Sequence, residues 1–207
     1  MNDILKGIKN IIFDFGGVIF TINPQLSVEA FKKLGIHNIG NTYAELEKDE
    51  LFEQLEKGKI NDAEFRNRIR AKTNLNITDK DIDEAWCKML IEYPKENIDI
   101  LLTIKNKYRL FLLSNTSNIH CNYFTNKIIN EYKLSLNNIF EKTYYSHQLG
   151  MRKPGEDIFL KVLNDNKLIP NETLFIDDTI INIESANKLG IKCYYFNKGL
   201  KLTDMFF

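Results

Sequence analysis

The chain has 207 residues, of which 43% are hydrophobic and 27% charged, enough for one sizeable core, alone or with a smaller appended domain. Its 28 basic and 28 acidic side chains cancel to a formal net charge of zero without a basic stripe, so we expect no nucleic-acid partner. Three scattered cysteines, an N-terminus without a long apolar segment and the lack of an 18-residue apolar run predict a cytoplasmic protein with no membrane span.

The first predicted element is a short buried strand that ends in a carboxylate. Residues 11–13 form an apolar run, Asp14 follows it, and Gly16 and Gly17 come directly afterwards. Ligands of open α/β sheets bind at the carboxyl ends of the strands. Asp14 is therefore placed to meet a phosphate or a metal, although by itself it could equally begin a turn.

Helical patterns and no convincing strand follow over residues 24–93. Pro24 predicts the start of a helix that ends at Gly35. A second apolar face, which stops at Gly58, consists of Leu46, Leu51, Phe52 and Leu55. Capping-box spacing then predicts two further helix starts, Asn61 with Glu64 and Thr78 with Asp81. The last of these helices carries Trp86 in an apolar stripe, where a core position is favoured over a substrate contact.

From residue 98 onward, helical and strand patterns alternate. The predicted strands are residues 108–113, 142–145, 173–176 and 191–196, and the predicted helices are residues 98–107, 118–133, 155–166 and 181–189. This alternation predicts an α/β fold with a doubly wound, Rossmann-like parallel sheet. We expect residues 1–20 and 95–207 to form this core and residues 21–94 to form a small inserted helical domain.

The predicted strands all end in polar residues at one edge of the sheet, and these residues form a coherent set. They are Asp14, Ser114, Asn115, Lys153, Asp177 and Asp178. Asp14, Asp178 and a backbone carbonyl near Gly16 are oxygen ligands of the kind that Mg²⁺ prefers. Ser114 and the amides after it can bond a phosphoryl group, and Lys153 supplies positive charge. Each residue also has a structural alternative, such as capping a helix, but four successive strand ends together favour a site.

Four motifs in this set occur in a familiar order: FDFGGV, LFLLSNT, MRKP and FIDDTIINIESANKLGI. Over nearly the whole chain they resemble the haloacid dehalogenase superfamily of aspartate-nucleophile hydrolases. The resemblance implies that Asp14 is the nucleophile and that Ser114, Asn115 and Lys153 bind the phosphate. It also implies that Asp178 ligates Mg²⁺ directly with Asp177 beside it. The helical insertion resembles the family's mobile cap.

The sequence departs from this family at two positions. Most phosphatases of the family carry a second Asp two residues after the nucleophile, where this chain has Gly16. That Asp protonates the leaving oxygen, and such groups are typically worth ~10²–10⁴ in rate. The pattern DFGGV also resembles a branch with sugar-1-phosphate phosphatases and the epoxide hydrolase N-terminal domain, which has active members with glycine here. Asn182 stands where many relatives have a further Asp of the fourth motif. His147 is a candidate for the acid that Gly16 cannot supply, although the alternative is an ordinary loop histidine.

Together these features predict a Mg²⁺-dependent phosphomonoester hydrolase that acts on a small phosphorylated metabolite, with sugar phosphates among the candidates, through an aspartyl-phosphate. Two alternatives stay open. A metal-independent 2-haloacid dehalogenase would use the same Asp14, because halide leaves without a proton. A catalytically weak domain would only bind a phosphorylated ligand or a protein partner. We expect either a monomer or a homodimer.

Overall fold

The computed structural model describes residues 3–37, 39–40, 42, 45, 49–197 and 199–206. Its strands are β1 (Asn10–Phe13), β2 (Thr21–Ile22), β3 (Leu90–Glu92), β4 (Arg109–Ser114), β5 (Lys142–Tyr145), β6 (Thr173–Asp177) and β7 (Lys192–Tyr195). Five of these described strands form one parallel sheet in the order β5-β4-β1-β6-β7. The predicted α/β parallel sheet is therefore confirmed, with β1 at its centre.

The four helices that the alternating pattern predicts from residue 98 onward are present among the described helices, which also include short helices at Ser146–Leu149 and Leu202–Phe206 that the pattern does not predict. The described helices are α1 (Gln25–Lys33), α2 (Glu50–Glu56), α3 (Asp62–Arg70), α4 (Asp79–Cys87), α5 (Lys95–Ile104), α6 (Asn118–Tyr132), α7 (Ser146–Leu149), α8 (Glu156–Asn166), α9 (Ile180–Lys188) and α10 (Leu202–Phe206). Within the described ranges, none of them combines the length and apolar character needed to cross a bilayer.

The central strand β1 is buried on both faces because helices cover both sides of the sheet. Ile11 and Phe13 belong to one hydrophobic cluster, and Ile12, which points the other way, belongs to a second. β1 pairs with β4 on one side and β6 on the other, and both pairs are parallel. Parallel strands buried on both faces carry continuous apolar runs, which explains why the sequence pattern predicts them well.

Helices α1 to α4 pack around a cluster of aromatic side chains. Phe31, Phe52 and Phe65 surround Trp86, whose ring centroid lies 5.0 Å from that of Phe52. Trp86 is only 1% exposed, which confirms its predicted core position. The predicted caps of α3 and α4 also form, and Thr78 makes a complete capping box with its partner three residues on. Leu46, predicted on the second apolar face, lies outside the described residues.

The prediction that residues 24–93 contain no strand is wrong. β3 lies within them and pairs with β2 in a short antiparallel ribbon. Strands of two and three residues are too short to show a period-two pattern, and their pairing joins residues about seventy positions apart. In the sequence, Leu90 continues the apolar stripe of the preceding helix, which carries Trp86. The ribbon joins the helical segment to the sheet domain at both of its ends.

A buried hydroxyl ties α1 to the end of α4, and its removal should be costly. Ser27 is fully buried; its Oγ–H donates to the Trp86 carbonyl at 2.7 Å, and its Oγ accepts from the Met89 N–H at 3.0 Å. We expect Ser27→Ala to lower the free energy of unfolding by about 1–3 kcal/mol, because it removes the hydrogen-bond partner of a buried N–H. Urea unfolding monitored by circular dichroism measures this change.

The control for Ser27→Ala is Thr103→Ala on α5. Thr103 also donates its hydroxyl to a backbone carbonyl, that of Asp99 at 2.8 Å, but in an exposed position. We expect this control to change the free energy of unfolding by less than about 0.5 kcal/mol. Equal destabilisation by the two variants would contradict the importance of the buried bonds of Ser27.

Candidate active site

The carboxyl ends of the three central strands bring the predicted site residues together. Asp14 follows β1, Ser114 ends β4, and β6 ends at Asp177 with Asp178 next. Lys153 comes from the loop between α7 and α8, and its ammonium reaches the carboxylates at this edge of the sheet. The structure thus places the residues of all four motifs around one point, as the strand order predicts.

The side chain of Lys153 lies at the centre of this cluster. Its Nζ is 2.5 Å from Oδ1 of Asp14 and 2.7 Å from Oδ2 of Asp177, and the side chain is only 1% exposed. An ammonium that is paired with two carboxylates in a buried site is held in one position. Lys153 therefore bridges the ends of β1 and β6.

The loop that carries Lys153 is fixed by Asn115. The Asn115 side-chain amide donates to the Lys153 carbonyl at 2.9 Å, and its Oδ1 accepts from the Lys153 N–H, also at 2.9 Å. Both the nitrogen and the oxygen of the Asn115 side-chain amide are thus hydrogen-bonded to the backbone of Lys153. The predicted contact of Asn115 with phosphate stays a prediction, and these bonds favour its backbone N–H over its side chain for that contact. Ser114 lies beside it and is 3% exposed.

Asp177 is fully buried and accepts several hydrogen bonds. Besides Lys153, the Thr179 N–H donates to its Oδ1 at 2.8 Å, and the Asn182 amide lies 3.1 Å from each of its oxygens. A carboxylate at position 182 would bring a further negative charge against Asp177, whereas the amide of Asn182 donates to it. The predicted metal contact of Asp177 stays a prediction. Its hydrogen bonds instead favour a role in holding Lys153.

Three carboxylates of this cluster could hold a metal ion. One oxygen each from Asp14, Asp177 and Asp178 lie within 4.8 Å of one another. When all three carboxyls are ionised, they and the single positive charge of Lys153 give the cluster a net charge of minus two. A divalent cation would balance this charge, and Mg²⁺ typically binds one or two carboxylates together with water and phosphate oxygens. The donor set therefore fits a hard divalent cation.

The glycine turn after β1 fits closely against this cluster. A Cβ added to Gly17, whose φ is +82°, would lie 2.1 Å from Oδ2 of Asp178. Only glycine allows the backbone to approach this carboxylate so closely. A Cβ added to Gly16 would lie 3.1 Å from Cδ1 of Ile22, so β2 fills much of the space beside the position where most family phosphatases have their second Asp.

Asn97, which the sequence pattern does not identify as a site residue, is hydrogen-bonded to the same turn after β1. Its side-chain amide donates to the carbonyls of Val18 and Ile19, at 3.2 and 3.0 Å. Asn97 lies in the first turn of α5, about eighty positions from these carbonyls in the chain. A single Asn near a helix start carries no signal for such a distant contact.

His147 lies in the wall between the helical segment and the sheet domain. Its Nδ1 is 3.0 Å from the Thr116 carbonyl, and its Nε2 is buried with no hydrogen-bond partner among the described residues. Burial lowers the pKa of this histidine, so the neutral form is favoured. It borders a cavity of about 280 Å³ whose lining includes Gly58 and Asp62. These contacts do not support the role of substitute acid.

A larger cavity of about 1030 Å³ opens beside Asp178. Gly17, Thr21 and Asn23 from the turn and strand after β1 line one wall, and Asn197 after β7 lines another. The cavity therefore reaches the Asp178 side of the carboxylate cluster. It lies next to the ends of β1 and β6.

The pKa values of the cluster reflect its burial and its excess negative charge. Burial raises the pKa of Asp14 to about 7; Asp177 and Asp178 add to this rise, and Lys153 opposes it. Burial also raises the pKa of Asp178. For Lys153, burial acts against the ammonium, but Asp14 and Asp177 outweigh it and the pKa rises. A cation bound among the carboxylates would favour their ionised forms.

Comparison with known proteins agrees with this fold. A family model for haloacid dehalogenase-like hydrolases matches residues 11–196. The chain is 33% identical over 192 residues to D-ribitol-5-phosphate phosphatase of Bacteroides thetaiotaomicron, and the match covers 93% of each chain. The chain belongs to the haloacid dehalogenase-like hydrolase family, which confirms the predicted family and hydrolase class.

Solved structures of two relatives are similar along nearly the whole chain. A HAD family enzyme from Bacteroides thetaiotaomicron, crystallised with magnesium and inorganic phosphate, has a TM-score of 0.90 and 38% identity and covers 97% of this chain and 100% of its own. A predicted HAD-like family hydrolase from Porphyromonas gingivalis has a TM-score of 0.88 and 34% identity, with 96% and 95% covered. The similarity extends through the helical segment as well as the sheet.

The raised pKa of Asp14 predicts a specific pH dependence of stability. In the unfolded chain this carboxyl titrates near 3.8, and in the metal-free folded protein at about 7. Between these values the folded state binds the proton more tightly, so the contribution of Asp14 to stability is lost as pH rises through this window. With EDTA present, we expect the Tm of the wild type to fall more steeply with pH over this window than that of Asp14→Asn.

Thermal unfolding of both proteins at a series of pH values measures this difference. The difference between the two curves reports the titration of Asp14 together with its electrostatic coupling to Lys153. A protein of this size loses about 2–4 °C in Tm for each kcal/mol. Parallel curves would show that Asp14 titrates at an ordinary pKa.

Proposed function

We propose that this chain is a Mg²⁺-dependent phosphatase that hydrolyses the phosphate ester of a small polyol or sugar through an aspartyl-phosphate. One observation carries the proposal: the Asp14 carboxylate is held at 2.5 Å from Lys153 within a buried cluster whose fully ionised form has a net charge of minus two. Such a cluster suits a divalent cation and a phosphate, whose charges complement one another there.

The relatives support the nature of the substrate and the metal. The curated relative at 33% identity is named for its action on D-ribitol 5-phosphate, and a structural relative at 38% identity was crystallised with magnesium and inorganic phosphate. Both matches extend over more than nine-tenths of this chain. We therefore extend to this chain a small phosphorylated polyol or sugar as substrate and Mg²⁺ as cofactor.

Asp14, Asp178 and the Gly16 carbonyl would hold the cation, with Asp177 bound to Lys153 behind them. When bound, the cation draws the phosphate towards Asp14 and screens the repulsion between the two anions. The contact of Gly17 with Asp178 supports this arrangement, because it sets the turn that carries the Gly16 carbonyl directly against the second carboxylate. Ser114 and the adjacent backbone amides are placed to bond the phosphoryl oxygens.

The reaction then proceeds in two steps on Asp14. A carboxylate oxygen of Asp14 attacks phosphorus, a new O–P bond forms, and the bond from phosphorus to the leaving oxygen breaks. Water next attacks the same phosphorus, the bond from phosphorus to the Asp14 oxygen breaks, and the protons of the water pass to the released phosphate and to solvent as the carboxylate is restored. Lys153 balances the negative charge in both steps. Because position 16 is glycine, the leaving oxygen takes its proton from water and not from a side chain at that position.

The same cluster disfavours the 2-haloacid dehalogenase alternative. A haloacid brings its own carboxylate, and three carboxylates facing one ammonium would repel it in the absence of a cation. A phosphate ester with Mg²⁺ has no such conflict. The relatives at more than 30% identity named above also support phosphate.

We also propose that residues 21–94 act as a cap over the sheet domain, residues 1–20 and 95–207. The two-stranded ribbon of β2 and β3 connects both ends of this segment to the core. The segment contacts the loops that carry the motifs, through bonds such as that from the Trp86 indole N–H to Ser117 at 3.2 Å. A cap in this position would cover the substrate.

The nucleophile assignment predicts the behaviour of Asp14→Asn. We expect this variant to lose phosphate release by about 10³-fold or more, because the amide cannot form the covalent intermediate. The measurement is phosphate release from ribitol 5-phosphate, other primary polyol phosphates and sugar 1-phosphates, with Mg²⁺ and with EDTA. The panel separates primary esters, suggested by the relative, from anomeric esters, suggested by Gly16.

Asp99→Asn serves as the matched control, because Asp99 pairs with Lys95 on the exposed face of α5. We expect it to keep full activity. Turnover by Asp14→Asn comparable to the wild type would rule out Asp14 as the nucleophile. Halide release without metal, in place of phosphate release, would favour the dehalogenase.

The contact between Gly17 and Asp178 predicts the effect of a single methyl group on metal binding. Gly17→Ala places a Cβ 2.1 Å from the Asp178 carboxylate, so we expect it to abolish most of the rise in Tm that Mg²⁺ gives the wild type. The control is Gly7→Ala, which has a similar φ of +76° but nothing within 4 Å of its Cβ. The two variants thus share the backbone strain and differ in the clash.

Thermal unfolding over a range of Mg²⁺ concentrations makes this comparison without any substrate. We expect Gly7→Ala to have a lower Tm than the wild type but the same Mg²⁺-dependent rise. A wild-type response to Mg²⁺ in Gly17→Ala would place the cation elsewhere.

A further inference from the structure

A short stretch of the helical segment contacts three loops of the candidate active site. Residues 56–62 run from the end of α2 to the start of α3, and we call them the docking segment. Their partners are Arg152 next to Lys153, His147 after β5, and Asn118 at the start of α6. These three partners flank the loops that carry Ser114 and Lys153.

The first contact is an ion pair between Glu56 and Arg152. Oε2 of Glu56 lies 3.0 Å from Nη2 of Arg152, and their side chains are only 13% and 19% exposed. Ion pairs on open surfaces contribute little, but the loss of one partner of a largely buried pair is costly. Arg152 directly precedes Lys153, whose backbone is already clamped by Asn115. The pair therefore acts on the loop of the catalytic lysine.

The second contact requires a glycine. Gly58 has a φ of +62°, and a Cβ added to it would lie 2.1 Å from the His147 carbonyl oxygen. The backbones of the helical segment and the core thus meet here without an intervening side chain. Backbone atoms cannot give way as a flexible side chain can, so any larger residue must move the docking segment away.

The third contact reaches the phosphate-binding loop. The Asn118 amide donates to Oδ2 of Asp62 at 2.6 Å. Asn118 begins α6, four residues after Ser114, and its neighbour Ser117 caps the same helix. A hydrogen bond to a carboxylate is among the stronger kinds. The docking segment is thus fixed at both ends, to the Lys153 loop at one and to the Ser114 loop at the other.

From these contacts we infer that Glu56 is a positioning residue for Lys153, and that seating of the docking segment on the core completes the phosphate-binding site. The expected effect of Glu56 on turnover rests on the proposed phosphatase function. Glu56 orients Arg152, and Arg152 with Asn115 holds the loop from which Lys153 reaches Asp14. Displacements of about 1 Å in such groups can cost about 10²-fold in rate.

The primary test is Glu56→Gln, which keeps the size of the side chain and removes its charge. We expect kcat for phosphate release to fall between about 10-fold and 10²-fold, with KM changed less than threefold. Arg152→Gln should have a similar effect, and the double variant should be no worse than either, since the pair acts as a unit. The control, Glu50→Gln, removes the charge of an exposed carboxylate that accepts a hydrogen bond from Gln54 on the same helix, and it should keep wild-type kcat.

A second measurement reports on seating itself. Trp86 is the single tryptophan of the sequence, it is 1% exposed, and its indole N–H donates to Ser117 in the core. We expect Gly58→Ala to increase quenching of its fluorescence by acrylamide and to lower kcat. The control with the same kind of backbone strain, Gly7→Ala, should do neither. Glu56→Gln should leave the fluorescence unchanged. The comparison therefore separates misplacement of Lys153 from displacement of the whole docking segment.

These outcomes distinguish the inference from the function on which it rests. If the wild type hydrolyses no ester, the proposed function fails, and protection by inorganic phosphate with Mg²⁺ in thermal unfolding tests the positioning role instead. The inference then predicts weaker protection in Glu56→Gln than in Glu50→Gln. Equal kcat or equal protection in these two variants, or equal quenching in Gly58→Ala and Gly7→Ala, would overturn it.

Discussion

The rest of the site depends on the buried ammonium of Lys153, which is shared between Asp14 and Asp177. Removal of one partner from a buried charged group of this kind typically costs about 3–5 kcal/mol. The surrounding elements hold this arrangement from several sides. β1 and β6 bring the two carboxylates next to each other, Asn115 fixes the lysine loop, and Asn182 donates to the deeper carboxylate. The site at this edge of the sheet therefore depends on the pairing of Lys153 with two carboxylates and not on any one of these residues.

The same arrangement leaves an excess of negative charge that the protein does not neutralise by itself. Burial and two neighbouring carboxylates raise the pKa of Asp14 to about 7, so in the metal-free site this carboxyl keeps its proton up to nearly neutral pH. A divalent cation would restore the ionised form and attract a phosphate at the same time. Metal binding, ionisation of the nucleophile and substrate binding are therefore linked in one site.

Much of this site was predictable from the sequence, because parallel strands carry their chemistry at their carboxyl ends. Buried apolar runs predict the strands, and the residues after them, Asp14, Ser114 and Asp177 among them, must then meet at one edge. Side-chain contacts made over long distances in the chain could not be predicted in this way. The bonds of Asn115 to Lys153, of Asn97 to the turn after β1 and of Glu56 to Arg152 depend on rotamers and packing that leave no periodic signal. The two short strands β2 and β3 were missed for a related reason, since their pairing depends on the tertiary fold and not on a local pattern.

The most direct test of the central role of Asp14 is to trap the covalent intermediate. The wild type would be mixed with a good phosphate ester and Mg²⁺, quenched with acid during the first turnovers, digested and analysed by mass spectrometry. If Asp14 is the nucleophile, the phosphoryl group will be found on the peptide that contains Asp14, and omission of Mg²⁺ will greatly reduce it. Rapid phosphate release with no phosphoryl group on that peptide, or with the group on another residue, would contradict the mechanism.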